Sequence, residues 1–160
     1  DCVASALYVP YHCKMYIAAK GIGSYLIRDI VPQDDPQYSR DAIEKVMERL
    51  PLKSSQHEGF RVAVSRSHQT TETQERIDQM RKEHPDLEVI EQGSSYKFCL
   101  LAEGTVDYYI RTTHTYEWDT AAGELILAEA GGKTISYPEG EKLQYNKEDL
   151  RNPWFEAHRG

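Results

Sequence analysis

The stretch from Phe60 to Tyr137 alternates short apolar runs with longer amphipathic ones, and few folds accept that alternation. Phe60-Arg61-Val62-Ala63-Val64 has the length and composition of a strand. Thr71, with Gln74 three residues later, has the form of a capping box, which predicts a helix over 72–83. Its large apolar residues are Ile77 and Met80 alone, so the helix is expected at the surface. Pro85 follows it, and Leu87-Glu88-Val89-Ile90 predicts a second strand. Gly93-Ser94-Ser95 opens a second helix, with Phe98, Leu101 and Ala102 along one side. Val106 to Ile110 predicts a third strand, and Asp119 to Ala130 a third helix ended by Gly131-Gly132. Thr134-Ile135-Ser136-Tyr137 predicts the last strand. Strands alternating with helices predict an α/β sheet covered by helices.

The first third of the chain has a different pattern. Residues 3–9 and 14–19 predict a β-hairpin with Pro10-Tyr11-His12 at its turn, and Tyr25-Leu26-Ile27 a short third strand. An isolated hairpin is marginal in water, so this one is expected to complete a sheet made elsewhere. Residues 28–40 are polar and predict a loop. Ile43, Val46, Met47 and Leu50 recur at helical spacing and predict an amphipathic helix over 41–50, stopped by Pro51. Residues 53–59 are polar. The expected organisation is a hairpin over 1–30, a linker with one helix over 31–59, and an α/β domain over 60–160. The chain starts within strand-like sequence and without Met, from which a cut chain is expected.

Composition removes some functions. The net charge of −7 argues against a nucleic-acid polymer as partner, because phosphate backbones select basic surfaces. It leaves room for a small phosphorylated ligand held by a few local cations. Cys2, Cys13 and Cys99 have no metal spacing and form no even set, so reduced thiols in a cytoplasmic protein are expected. No apolar run approaches the ~18 residues of a membrane span.

Five side chains carry the candidate chemistry. Asp119 stands in Glu117-Trp118-Asp119-Thr120-Ala121-Ala122-Gly123, at the first turn of a helix whose next residues are small. Its plain reading is an N-cap; the small neighbours would also let a ligand or metal approach. Gly93-Ser94-Ser95-Tyr96-Lys97 exposes backbone N–H donors at a helix start, an anion site to which Lys97 adds a charge. A solvated lysine after a serine cap is the plain alternative. His68 ends Ser65-Arg66-Ser67-His68 after a strand, and Arg111 ends the strand 106–110. Ligands of open α/β sheets bind outside the carboxyl ends of strands, although each residue alone could be an ordinary surface group. Together, His68, Ser94, Lys97, Arg111 and Asp119 lie at strand ends or helix starts that can share one rim. Cations for phosphate beside a carboxylate for a metal suggest phosphoryl chemistry.

These segments resemble a known family. Gly93 to Gly104, Asp107 to Arg111 and Glu117 to Gly123 are similar to the inositol monophosphatase superfamily of lithium-sensitive, magnesium-dependent phosphatases. Ser65-Arg66-Ser67-His68, the run Ser94-Ser95-Tyr96-Lys97-Phe98-Cys99 and Asn152-Pro153 resemble its 3′(2′),5′-bisphosphate nucleotidases of CysQ type. The resemblance implies a layered α/β/α sandwich, the C-terminal domain of the sugar-phosphatase fold, preceded by a hairpin belonging to the sheet of a missing N-terminal domain. It implies that Asp119 binds metal and lies near the attacked phosphate, and that His68, Ser94, Lys97 and Arg111 hold the nucleotide. The implied reaction takes 3′-phosphoadenosine 5′-phosphate to AMP and phosphate, in sulfur metabolism, with two or three Mg2+ ions. The implied partners are that small nucleotide and the missing N-terminal domain; any loose membrane association of the whole protein would be made outside this chain. The family's remaining ligands come from a glutamate and an Asp-Pro-x-Asp-Gly-Thr motif, and neither motif is in this sequence. The chain alone is therefore expected to be inactive. An inositol or sugar phosphate substrate, and a non-catalytic nucleotide-binding module, are the alternatives. Residues 111–116, Arg-Thr-Thr-His-Thr-Tyr, depart from the family where Pro or Gly is expected.

Overall fold

A computed structural model of the chain describes residues 1–32, 39–55, 57–67 and 70–160. The hairpin forms as its alternation predicts. Strands β1 (Ala4–Val9) and β2 (Lys14–Ala19) pair antiparallel, with Ala4 opposite Ala19 and Val9 opposite Lys14. Strand β3 (Gly23–Ile27) pairs with β2 and begins two residues before the apolar run. The inward side chains Tyr16, Ala18 and Leu26 are buried.

The helix expected over 41–50 is shorter. Helix α1 (Arg40–Val46) starts at Ser39, whose hydroxyl accepts from the Ala42 N–H at 3.2 Å, and none of its residues is buried. The backbone turns extended at Met47, and β4 (Glu48–Arg49) pairs with β3. Leu50 then enters the core at 3 % exposure. The apolar spacing therefore marked a surface helix followed by an extended core residue. Pro51 contributes, because the residue before proline avoids the helical region.

The second sheet has the order β6-β5-β7-β9-β8. Strands β5 (Arg61–Val64), β6 (Glu88–Glu91) and β7 (Tyr108–Arg111) are parallel. Strands β8 (Lys133–Ser136) and β9 (Phe155–His158) add an antiparallel pair. β9 has no counterpart in the sequence reading. It is four residues long and carries Glu156 and His158, yet it lies between β7 and β8 with Phe155 and Ala157 fully buried.

Helix α2 (Thr71–Glu83) covers one face of this sheet through Ile77 and Met80, which pack with Val62, Val64, Tyr108 and Ile110. Its N-cap is Thr70 rather than Thr71; the Thr70 hydroxyl accepts from the Thr73 N–H at 3.2 Å. Helices α3 (Tyr96–Glu103) and α4 (Glu117–Glu129) cover the other face, giving the α/β/α layering. On its far side α4 packs against β1, β2 and β3, so the two sheets sandwich it. Glu103, 3 % exposed, ties the layers: its Oε1 accepts from Tyr16 Oη at 2.5 Å and Lys14 Nζ at 2.7 Å. Burial and the charge of Glu103 push the Tyr16 hydroxyl well above its usual range.

The small residues of α4 have a packing reason. A Cβ on Gly123 would stand 2.6 Å from the Phe98 ring, so glycine lets α3 and α4 approach closely. Gly131, at φ +95, takes the left-handed conformation that ends α4. All three cysteines are unpaired, and Cys99 is buried. Among the described residues no helix is long and apolar enough to cross a membrane.

Candidate functional site

Three parallel strands deliver their following residues to one hollow. Ser65 and Ser67 follow β5, Gly93, Ser94 and Ser95 follow β6, and Arg111 ends β7. Lys97 and Tyr109, with His114, Thr115, Asp119 and Thr120 of the β7–α4 connection and first turn, complete most of its wall. The cavity measures about 250 Å³, below the ~300–1,000 Å³ of a complete small-molecule site. A larger hollow beside α1 is walled by Ile17, Tyr25, Ile43 and Met47, and its Arg40 is already paired with Glu44 at 2.7 Å.

Ser94, Lys97, Arg111 and Asp119 thus come together. His68, the fifth expected member, lies outside the described residues, while Ser65 and Ser67 of the same turn reach the hollow.

Lys97 is not the solvated lysine of the plain alternative. It is 2 % exposed, and its Nζ donates to the carbonyls of Gln92 at 3.0 Å and Ser94 at 2.8 Å. The same nitrogen stands 4.8 Å from the centre of the Tyr109 ring, within cation–π range. Burial, and next the repulsion of Arg111, push the ammonium down from its ordinary 10.5 to about 8. Two of its three N–H groups therefore hold the loop that precedes α3. Ser94 in that loop has φ +63, a left-handed conformation uncommon for a residue with a Cβ. Ser95 does not cap α3; its hydroxyl donates to the Asp119 carbonyl at 2.8 Å and fastens the two helix starts together.

Arg111 is half-buried, and its Nε is a buried donor with no partner among the described residues. A buried unpaired donor costs about 1–3 kcal/mol, and more on a charged group, so an acceptor arriving here would be strongly favoured.

Asp119 is the third residue of α4, and Tyr116 occupies the N-cap. Its Oδ2 accepts from the Tyr116 N–H at 2.8 Å, so capping and exposure to the hollow coexist in one side chain. Asp119 is the one carboxylate among the described wall residues. Among the described residues no group of three or more His, Cys, Asp or Glu could hold a metal ion. Mg2+ requires near-octahedral oxygen coordination. The residues present do not make a magnesium site by themselves.

The connection to α4 is clamped from outside. Asn152, 2 % exposed, donates through Nδ2 to Thr115 Oγ1 at 3.1 Å, the Tyr116 carbonyl at 2.8 Å and Thr120 Oγ1 at 3.0 Å. Glu117 accepts from the Asn146 and Lys147 N–H groups at 2.6 and 3.1 Å and from Lys147 Nζ at 2.5 Å. Sequence reasoning missed these positioning roles and the wall residues Tyr109, His114, Thr115 and Thr120. The departure at 111–116 was the available signal for His114.

The model of the inositol monophosphatase family matches residues 1–155. The 3′(2′),5′-bisphosphate nucleotidase CysQ of Escherichia coli strain K12 is 41% identical over 95 residues, covering 59% of this chain and 37% of that protein. The crystal structure of CysQ from Bacteroides thetaiotaomicron superposes with a TM-score of 0.90 at 41% identity, over 98% of this chain and 58% of that one. SuhB of Mycobacterium tuberculosis gives a TM-score of 0.62 at 21% identity over 98% of this chain and 53% of that one, a likeness of fold alone. The chain thus spans between about a third and three fifths of these CysQ relatives. By its sequence over residues 1–155 and by its layered fold, the chain belongs to the inositol monophosphatase family.

Proposed function

We propose that this chain is the C-terminal part of a Mg2+-dependent 3′(2′),5′-bisphosphate nucleotidase, and that it carries the anion-holding half of the site. The reaction is removal of the 3′-phosphate from 3′-phosphoadenosine 5′-phosphate, leaving AMP. The observation that carries the reading is the convergence of Lys97, of Arg111 with its buried unpartnered Nε, and of the Ser94-Ser95 loop at the ends of three parallel strands. In the proposal Ser94, Lys97 and Arg111 hold the nucleotide, together with His68. Lys97 acts both by its charge and by fixing the 92–94 backbone.

Asp119 supplies one metal ligand, and the other ligands come from polypeptide outside this chain. When bound, the metal would polarise the phosphate and supply an activated water. This chain's own part is to bind and orient the anion and to hold Asp119 in place through the Tyr116 and Asn152 contacts. The chain alone is inactive, since a single carboxylate holds Mg2+ weakly.

The test is phosphate release from 3′-phosphoadenosine 5′-phosphate with Mg2+, by this chain and by the complete protein. Release by the complete protein alone is expected. Efficient release by this chain would sink the fragment reading.

A second reading is favoured by the contrast between the wall's cations and its single carboxylate: a nucleotide-binding module without chemistry. Micromolar AMP binding without metal, in a complete protein that releases no phosphate, would put that reading first.

A further inference from the structure

We propose that His114 is a substrate-contacting residue, whose ring N–H donates a hydrogen bond to a phosphate oxygen of the ligand in this hollow. The inference rests on the phosphate-site reading above and adds a contact to it.

His114 lies in the β7–α4 connection, within the run Arg111-Thr112-Thr113-His114-Thr115-Tyr116. It is exposed, and it forms part of the wall with Lys97, Arg111 and Asp119. Its ring makes no hydrogen bond, ion pair or ring contact among the described residues. An imidazole carries an N–H donor in either tautomer.

The backbone on both sides of it is fixed. Before it, Thr112 Oγ1 lies 2.7 Å from Thr70 Oγ1 and 2.6 Å from Thr73 Oγ1, which pins the connection to the start of α2. After it, the Asn152 N–H donates to the Thr115 carbonyl at 2.8 Å, and Asn152 Nδ2 reaches Thr115 Oγ1 and the Tyr116 carbonyl. Thr112 and Thr115 are buried, and His114 between them is not. A ring presented to an anion-holding hollow from a doubly anchored loop loses little backbone freedom on binding, so its hydrogen bond is realised as affinity. A hydrogen-bond donor beside two cations favours the same ligand atoms that they favour. That points to phosphate rather than to the apolar face of a base.

The experiment measures AMP affinity by calorimetry, without metal, for the complete protein carrying this chain and for its variants. His114→Ala is expected to weaken AMP about three- to tenfold, the effect of one hydrogen bond. His114→Asn, which keeps an N–H donor, is expected to stay near the original affinity, and His114→Phe to resemble Ala. Thermal unfolding should be the same in all, because the ring has no partner to lose among the described residues. In the unsubstituted protein, the His114 ring NMR signals should move on adding AMP. Unchanged affinity in His114→Ala beside normal binding by the unsubstituted protein would overturn this inference and leave the site reading intact. Full affinity in His114→Phe with loss in His114→Asn would mean stacking, and would also overturn it. No AMP binding by the unsubstituted protein would remove the site reading and this inference with it.

Discussion

Lys97 offers the sharpest test of how the site is held, through the substitution Lys97→Met. The side chain is 2 % exposed, and its ammonium is pushed down from 10.5 to about 8, by burial first and by Arg111 next. An amine with a lower pKa in the folded than in the unfolded chain makes folding costlier below the folded value. Between pH 8 and 10.5 the unfolded chain holds a proton that the folded chain has released, so stability rises with pH there. At about 1.4 kcal/mol per unit, the gain from Lys97 between pH 7 and pH 9.5 is about 2 kcal/mol. Methionine keeps the stem and removes the titration. The loss of donors to the Gln92 and Ser94 carbonyls shifts the variant's stability by an amount nearly independent of pH. Urea unfolding of both proteins at pH 7.0, 8.0, 8.7 and 9.5 therefore isolates the effect in the difference between them. The original chain should gain on the variant by about 2 kcal/mol across that range. A difference that stays constant within about 0.5 kcal/mol would refute the claim that a buried charge at Lys97 is held at a cost. Saturating AMP should flatten the trend if the ligand phosphate pairs with the ammonium, since an added anion raises its pKa again.

Gly123→Ala would normally favour a helix, but its Cβ would meet Phe98 at 2.6 Å; a net loss of about 1–3 kcal/mol is expected, read as a fall in the urea midpoint. Asn152→Ala removes a buried amide that serves three acceptors; stability should fall by about 2–3 kcal/mol and AMP affinity with it, whereas an affinity loss without a stability loss would assign Asn152 to the ligand. Asp119→Asn in the complete protein should cut turnover by orders of magnitude while the unfolding midpoint barely moves, because an amide oxygen can still accept from Tyr116; near-normal turnover would remove Asp119 from the reaction. For this chain alone, AMP at about 100 times its Kd should raise stability by ~2.7 kcal/mol while millimolar Mg2+ does little; the reverse order would show a metal site that the described residues do not form.

Much of the site was legible because α/β sheets present their ligands where strands end and helices begin. Ser94, Lys97, Arg111 and Asp119 could be placed on one rim from element order alone. What the sequence could not give was each side chain's second occupation. Lys97 read equally as the cation of an anion site or as a solvated charge, because nothing local says that Gln92 and Ser94 will turn their carbonyls inward. Asp119 read as either cap or ligand, and the folded chain shows one oxygen capping while the residue still lines the hollow. The helix over 41–50 failed for a related reason: Leu50 obeys a helical period, but strand pairing of Glu48 and Arg49 with β3 overrides it. β9 escaped notice because two of its four residues are polar, and its burial depends on neighbours far away along the chain, in β7 and β8.

The hollow concentrates unfavourable features in one place. Two cations stand near each other, one of them almost fully buried, an arginine Nε lacks a partner among the described residues, and Ser94 is held at φ +63. Each costs on the order of 1–3 kcal/mol, and of these the described residues relieve only the burial of Lys97, in part, through the Gln92 and Ser94 carbonyls and the Tyr109 ring. Their compensation lies elsewhere, in the Phe98–Gly123 contact, in the Asn152 clamp, and in Glu103 joining α3 to β2. A single anion would relieve most of the strain at once, by accepting from Arg111 and restoring the charge preference of Lys97. A site built this way is organised before its ligand arrives, so the binding free energy need not be spent on arranging it.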